Sequence, residues 1–298
     1  MNHDHSRDVN EKNILVSVVL NLVITAAEVV GGLLSGSLAL ISDALHNFSD
    51  SVSLIISYIA LKLSQRENSL RLTYGHKRAE ILAALFNASV LLVVVFFLFR
   101  AALERIRNPV PIQGGLMISV AAVGLAANLI AVLLLRKDAR KNLNVRSAYL
   151  HLLADTFSSV GVILGGILII AFGVAWIDPI LTIAIGLYVL VESWDIIKQA
   201  TKILMQATPE HIDILAIQRA IEELPGVANL HHVHVWGVTE HEVHFEGHVD
   251  VCEDMNVSRA SDLIRTIETM LRERFRIEHV TIQVEYGVCT DKKIIKEC

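Results

Sequence analysis

Cysteine is scarce in this sequence and unpaired: Cys252, Cys289 and Cys298 form no C-x-x-C spacing, and all three lie beyond residue 250. No disulfide framework is expected from such a set, and no paired-cysteine zinc or redox motif. H-E-x-x-H, the helical signature of a zinc hydrolase, is missing as well. Charge is thin, at 19% Asp, Glu, Lys and Arg, and the net charge of -5 offers no basic surface for nucleic acid. What is abundant instead is apolar: 53% of the 298 residues, with a mean hydropathy of +0.51. Soluble domains hold roughly 45–50% apolar residues, so the chain reads as a membrane protein.

Six long runs carry few charges: 14–34, 38–63, 79–102, 114–135, 148–173 and 176–191. A spanning helix needs roughly 17–25 residues, and the last run reaches that length if Glu192 and Trp194 continue it to an interface. Six spans put both termini on one side. Lys62, Arg66, Arg71, Lys77 and Arg78 lie between spans two and three, and Arg136, Lys137, Arg140, Lys141 and Arg146 between spans four and five. Only Arg100, Arg105 and Arg107 fall on the other side, so the positive-inside rule predicts cytoplasmic termini. The opening "MNHDHSRDVNEK" carries acids and no small-residue cleavage site follows, so the first run is expected to be a span and not a leader.

Near Thr208 the composition changes. The last 90 residues hold 17 Asp and Glu against 9 Lys and Arg, with 8 of the 13 histidines. An acidic, His-rich domain attracts cations. Helical periodicity over 209–224 ends at "LPG", strand patterns follow at 230–238 and 243–252, an amphipathic helix at 257–275, and a last strand at 280–286. The order α-β-β-α-β suggests a small open sheet with helices on one face. Alternation sends Val243, Phe245, Val249, Val251, Val280, Ile282 and Val284 toward the helices. It leaves His244, Glu246, His248, Asp250, His279, Gln283 and Glu285 on the other side, and it separates His231 from His232 and His234. Two readings stand for that face: a solvated sheet surface, or a metal site of imidazoles and carboxylates of the kind zinc selects.

The apolar runs contain one pattern twice. "SDALHNFSD" (42–50) and "SAYLHLLAD" (147–155) both read S-x-x-L-H-x-x-x-D. An ionisable group at that depth costs roughly 2.5–3.5 kcal/mol even on a lenient scale. A spacing of i, i+4 stacks His46 with Asp50, and His151 with Asp155, on one face of each helix. Two such helices facing each other offer two imidazoles and two carboxylates around one point, a tetrahedral set suited to Zn²⁺. A single pair would equally suit helix packing, but the repeat points to a metal pathway. Glu28, Asp43, Asn87 and Asn128 are open between packing and a role in orienting ligands or relaying protons, with Asp43 nearest the face of His46.

On these residues the chain resembles the cation diffusion facilitators, along nearly its whole length: six spans, the paired H/D-x-x-x-D motifs, "YGHKRAEIL" (74–82), and an α-β-β-α-β domain after "ATPE". The resemblance implies an exporter of Zn²⁺ by proton antiport, with alternating access, working as a homodimer in the plasma (inner) membrane. Its transport site would be His46, Asp50, His151 and Asp155, in the form of the zinc-selective subgroup. His231, His248 and Glu285 align with the family's cytoplasmic metal ligands, with His232 adjacent, so a regulatory Zn²⁺ is expected there. His76 matches a ligand of the loop between spans two and three, but Ser69 and Leu72 replace others; Ser261 and Gln283 replace histidines of the cytoplasmic site. The expected organisation is a tail over 1–12, a six-helix membrane domain over 13–207, and a cytoplasmic α+β, ferredoxin-like domain over 208–298. A membrane-embedded zinc hydrolase and a membrane-bound metal sensor are the alternatives. The first is disfavoured because four symmetric ligands leave no open position for water.

Overall fold

The computed structural model describes residues 4–64, 69–136, 143–240, 242–288 and 293–295. Six long helices come first: α1 (Asp4–Ser35), α2 (Leu38–Ser64), α3 (Ala79–Arg107), α4 (Gly114–Leu135), α5 (Leu143–Phe172) and α6 (Ile177–Leu204). By length and composition α3, α4, α5 and α6 are apolar enough to cross a membrane. The described apolar stretch of α1 is Asn21–Ser35, and Asp43, His46 and Asp50 interrupt α2. The chain divides into two compact units, residues 1–62 with 83–197, and residues 63–82 with 198–298.

The helical unit inverts the plan of a soluble bundle. Phe86, Phe97, Phe157, Leu164, Phe172 and Leu187 are exposed, whereas Glu28, Asp43, His46 and Asp155 are buried. Among lipid tails no hydrophobic force draws helices together, so close packing must do it. Small residues allow that between α4 and α5: a Cβ added at Gly166 would lie 2.6 Å from Ile118, and one at Gly114 would lie 3.0 Å from the Gly166 carbonyl.

The N-terminus of α2 is held from another helix. Asp178, wholly buried in the first turn of α6, accepts hydrogen bonds from Ser37 Oγ (2.6 Å) and from the amides of Leu38 (2.9 Å) and Ala39 (3.2 Å). It thereby satisfies amides that the start of a helix leaves open, and its charge suits the positive end of the helix dipole. Arg105 of α3 lies 3.6 Å from the same carboxylate and also donates to the Gly36 carbonyl.

The second unit contains α7 (Ile214–Glu222), β1 (Val227–Gly237), β2 (Val243–Val251), α8 (Val257–Phe275) and β3 (His279–Glu285). Strand order is β1-β2-β3, antiparallel in the first pair and parallel in the second. The core is Ile217, Ile221, Leu230, Phe245, Val249, Ile267, Leu271 and Ile277, between the helices and one sheet face. α7 begins later than its periodicity suggests, because Asp213 caps it by accepting from the amides of Leu215 and Ala216.

The face assignment in β1 needs correction. His231 pairs with His248 and His234 with Glu246, three residues against two, so a β-bulge lies between them. Strict alternation separated His231 from His234; the bulge puts both on the face that carries His248. That face is not a uniformly wet surface either, since His231 and His244 are each 2% exposed.

Candidate metal sites

In the helical unit, α2 and α5 bring His46, Asp50 and Asp155 together. His46 Nε2 lies 3.3 Å from Asp155 Oδ1 and 3.7 Å from Asp50 Oδ2, and the three candidate ligand atoms all fall within 4.8 Å of one another. His46 and Asp155 are buried, and the Asp50 side chain is 24% exposed. His151 stands on α5 one turn before Asp155, but its side chain lies outside the described residues. One imidazole nitrogen and two carboxylate oxygens form a set that borderline divalent ions such as zinc accept.

Around these three is a layer of partners. Ser158 Oγ, three residues after Asp155, donates to Asp43 Oδ1 (2.5 Å). Asn47 donates to Glu28 Oε2 (2.8 Å), and Asn21 donates to the Asn47 carbonyl (3.3 Å). The Tyr188 ring of α6 meets the His46 ring edge-on, centroids 5.6 Å apart. Asn87 ties α3 to α2 by donating to Ser49 Oγ (2.9 Å) and Ser53 Oγ (3.1 Å), and Asn128 is buried on α4. Ser158, Asn47 and Tyr188 were not singled out from sequence, because nothing local marks a partner that sits on another helix.

In the second unit, His231 of β1, His248 of β2 and Glu285 of β3 converge in the same way. Each carboxylate oxygen of Glu285 faces one imidazole: Oε1 is 2.8 Å from His248 Nδ1 and Oε2 is 3.4 Å from His231 Nε2. Gln283 also donates to Glu285 Oε1 (2.8 Å) and so helps to orient the carboxylate. Both ring nitrogens of His231 and Glu285 Oε2 are buried without a hydrogen-bond partner among the described residues. Buried polar atoms are rarely left so, and a cation would satisfy the acceptors among them. His232 does not join the converging set; its ring lies over His248, centroids 4.6 Å apart and planes tilted 39°. Ser261 is exposed on α8 and donates to the Val257 carbonyl.

The connection between α2 and α3 belongs to this unit. Ser69 and Leu72 close a tight turn through paired backbone hydrogen bonds of 3.2 and 3.1 Å, and His76 is exposed. Lys77 Nζ reaches both oxygens of Glu242 at 2.6 Å, and the Tyr74 ring meets His244 edge-on at 5.4 Å. Burial pushes the Glu242 carboxyl up, but the hydrogen bonds from Lys77 and His244 and the lysine charge outweigh it. Its pKa therefore sits below the ordinary 4.5.

Long apolar helices with a buried nitrogen-and-oxygen set between two of them, joined to a small acidic domain, define a multi-pass membrane protein that handles metal cations. Residues 14–205 match the family model described as cation efflux transmembrane domain, and residues 209–286 match that of the cation efflux protein, cytoplasmic domain. The chain belongs to the cation efflux family: it is a cation exporter and not an enzyme. It is 38% identical over 287 residues to the cadmium, cobalt and zinc/H(+)-K(+) antiporter of Bacillus subtilis (strain 168), covering 96% of this chain and 92% of that one. It is 39% identical over 298 residues to the zinc transporter ZitB of Escherichia coli (strain K12), covering 97% and 94%. Among solved structures, the metal-bound C-terminal domain of the CzcD transporter from Cuprividus metallidurans is 31% identical, with a TM-score of 0.23, over 25% of this chain and 99% of that one.

Proposed function

We propose that this exporter moves Zn²⁺ out of the cytoplasm in exchange for protons, by alternating access around His46, Asp50, His151 and Asp155. The carrying observation is the convergence of His46, Asp50 and Asp155 from α2 and α5, with His151 in the same i, i+4 relation to Asp155. Similarity to a zinc transporter and to a cadmium, cobalt and zinc antiporter supports the same choice of cargo. Zinc binds neutral imidazole and ionised carboxylate, so loading displaces whatever protons these groups hold. An unperturbed histidine titrates at roughly 6.5, which makes it a suitable exchanger near neutrality. In this reading the chain spans the plasma (inner) membrane six times, has both termini in the cytoplasm and works as a homodimer. His231, His248 and Glu285 hold a second Zn²⁺ that regulates and does not cross.

The test is zinc movement into sealed vesicles with an imposed pH gradient. Asp155→Ala should lower it by more than about tenfold while the protein still inserts, because even the partners that merely orient metal ligands are worth roughly 10–100-fold. Collapsing the gradient should stop uphill movement and leave downhill exchange. Wild-type flux in the Asp155→Ala vesicles would remove the site, and uphill flux without a gradient would remove the proton exchange.

A further inference from the structure

Successive N–H groups of a regular strand point to opposite sides, so an edge strand turns only every second one outward. At the β1 bulge two in a row, those of His232 and Val233, are taken up outside the sheet by the carbonyls of Lys293 (3.3 Å) and Ile294 (2.8 Å). Ile294 is half-buried against the domain core, which anchors that short segment. His232 itself has φ +51, a left-handed conformation uncommon for a residue with a Cβ and costly unless its surroundings impose it. The result of this local constraint is a ring laid over His248, tilted 39° at 4.6 Å, and 5.2 Å from His234 on its other neighbour.

A metal binds an imidazole through a lone pair in the ring plane. The His232 ring, tilted 39° against that of His248, is not part of the set whose ligand atoms converge, whereas His231 and His248, at 67° to each other, both meet Glu285. We infer that His232 is a positioning residue and not a ligand. Held by the bulge and by the Lys293–Ile294 segment, its ring backs the His248 imidazole and directs it toward His231 and Glu285. The inference rests on the reading of His231, His248 and Glu285 as a metal site.

The test uses the full chain carrying Asp50→Ala and Asp155→Ala, so that the second unit alone reports, titrated with Co²⁺ and followed by visible absorption. His232→Phe keeps a flat ring and removes the nitrogens; His232→Asn tolerates the left-handed backbone and removes the ring. Phe should bind Co²⁺ within about twofold of the parent with the same band shape, and Asn should bind about 10–100-fold more weakly, as outer partners of metal ligands do. Ending the chain before Lys293 should weaken binding in the same direction and speed amide exchange at Val233. Equal losses in Phe and Asn would make His232 a ligand, and undiminished binding in Asn would make it irrelevant; either overturns the inference. Parent absorption that survives His248→Ala would instead remove the metal site itself, and the inference with it.

Discussion

At the scale of single residues, the chemistry turns on which atoms face the ion. His46 contributes the one described nitrogen to a set otherwise made of Asp50 and Asp155 oxygens. His46→Asp replaces it with a third carboxylate, a harder set that favours oxygen-preferring or larger ions. Cadmium or manganese flux should rise relative to zinc in competition experiments with vesicles, and an unchanged ratio would place selectivity elsewhere. The candidates His46, Asp50, His151 and Asp155 were legible in sequence because i, i+4 spacing is a property of one helix, and a charge inside an apolar run cannot hide. Ser158 against Asp43, and Asn47 against Glu28, were not, since each pairing depends on how two helices pack. The position of His231 was misread for a related reason: a bulge changes the phase of a strand, and "LHHVHV" looks the same with or without it.

At the scale of elements, helix and strand existence followed from periodicity, while several ends depended on side chains from elsewhere. α8 matches its predicted range, with Asn256 capping it by accepting from the Arg259 amide; α2 starts where it does because Asp178, 140 residues away from Leu38, receives its first amides. Asp178→Ala would leave those amides open and Arg105 without its buried carboxylate. Breaking a buried pair in this way costs roughly 3–5 kcal/mol. Thermal unfolding in detergent should show a clear loss of stability, with Asp178→Asn losing less because its amide oxygen still accepts. The α2–α3 connection offers a second prediction. Glu242 is ionised more readily than usual because of Lys77, so the pairing is fully present above the ordinary 4.5 and is lost as pH falls through the lower folded value. A spin label at Ser69 should keep its mobility from neutrality down to that range and loosen only below it. Glu242→Gln should loosen it at every pH; a label equally mobile in both proteins would mean the ion pair does not hold the connection.

At the scale of the whole molecule, the question is what a metal held by His231, His248 and Glu285 would add to the proposed transport site. Two copies of an acidic domain, 17 carboxylates against 9 basic residues in each, repel one another. A divalent ion held by His231, His248 and Glu285 would offset part of that charge where, among the described residues, both ring nitrogens of His231 and Glu285 Oε2 are buried without a hydrogen-bond partner. A ligand shifts an equilibrium only through its different affinity for the two states, so zinc favours the close pair only if the site is better assembled there. On that basis zinc should tighten the full-length dimer. Small-angle scattering in nanodiscs should show a more compact particle on adding zinc to a protein whose transport site is disabled by Asp155→Ala. His248→Ala should abolish that change and, in an otherwise wild-type chain, raise the zinc concentration for half-maximal transport while the maximum rate stays near its original value, as the proposed regulatory role requires. Identical scattering with and without zinc would remove the gating role, and a collapse of the maximum rate in His248→Ala would move the second site from regulation into transport itself.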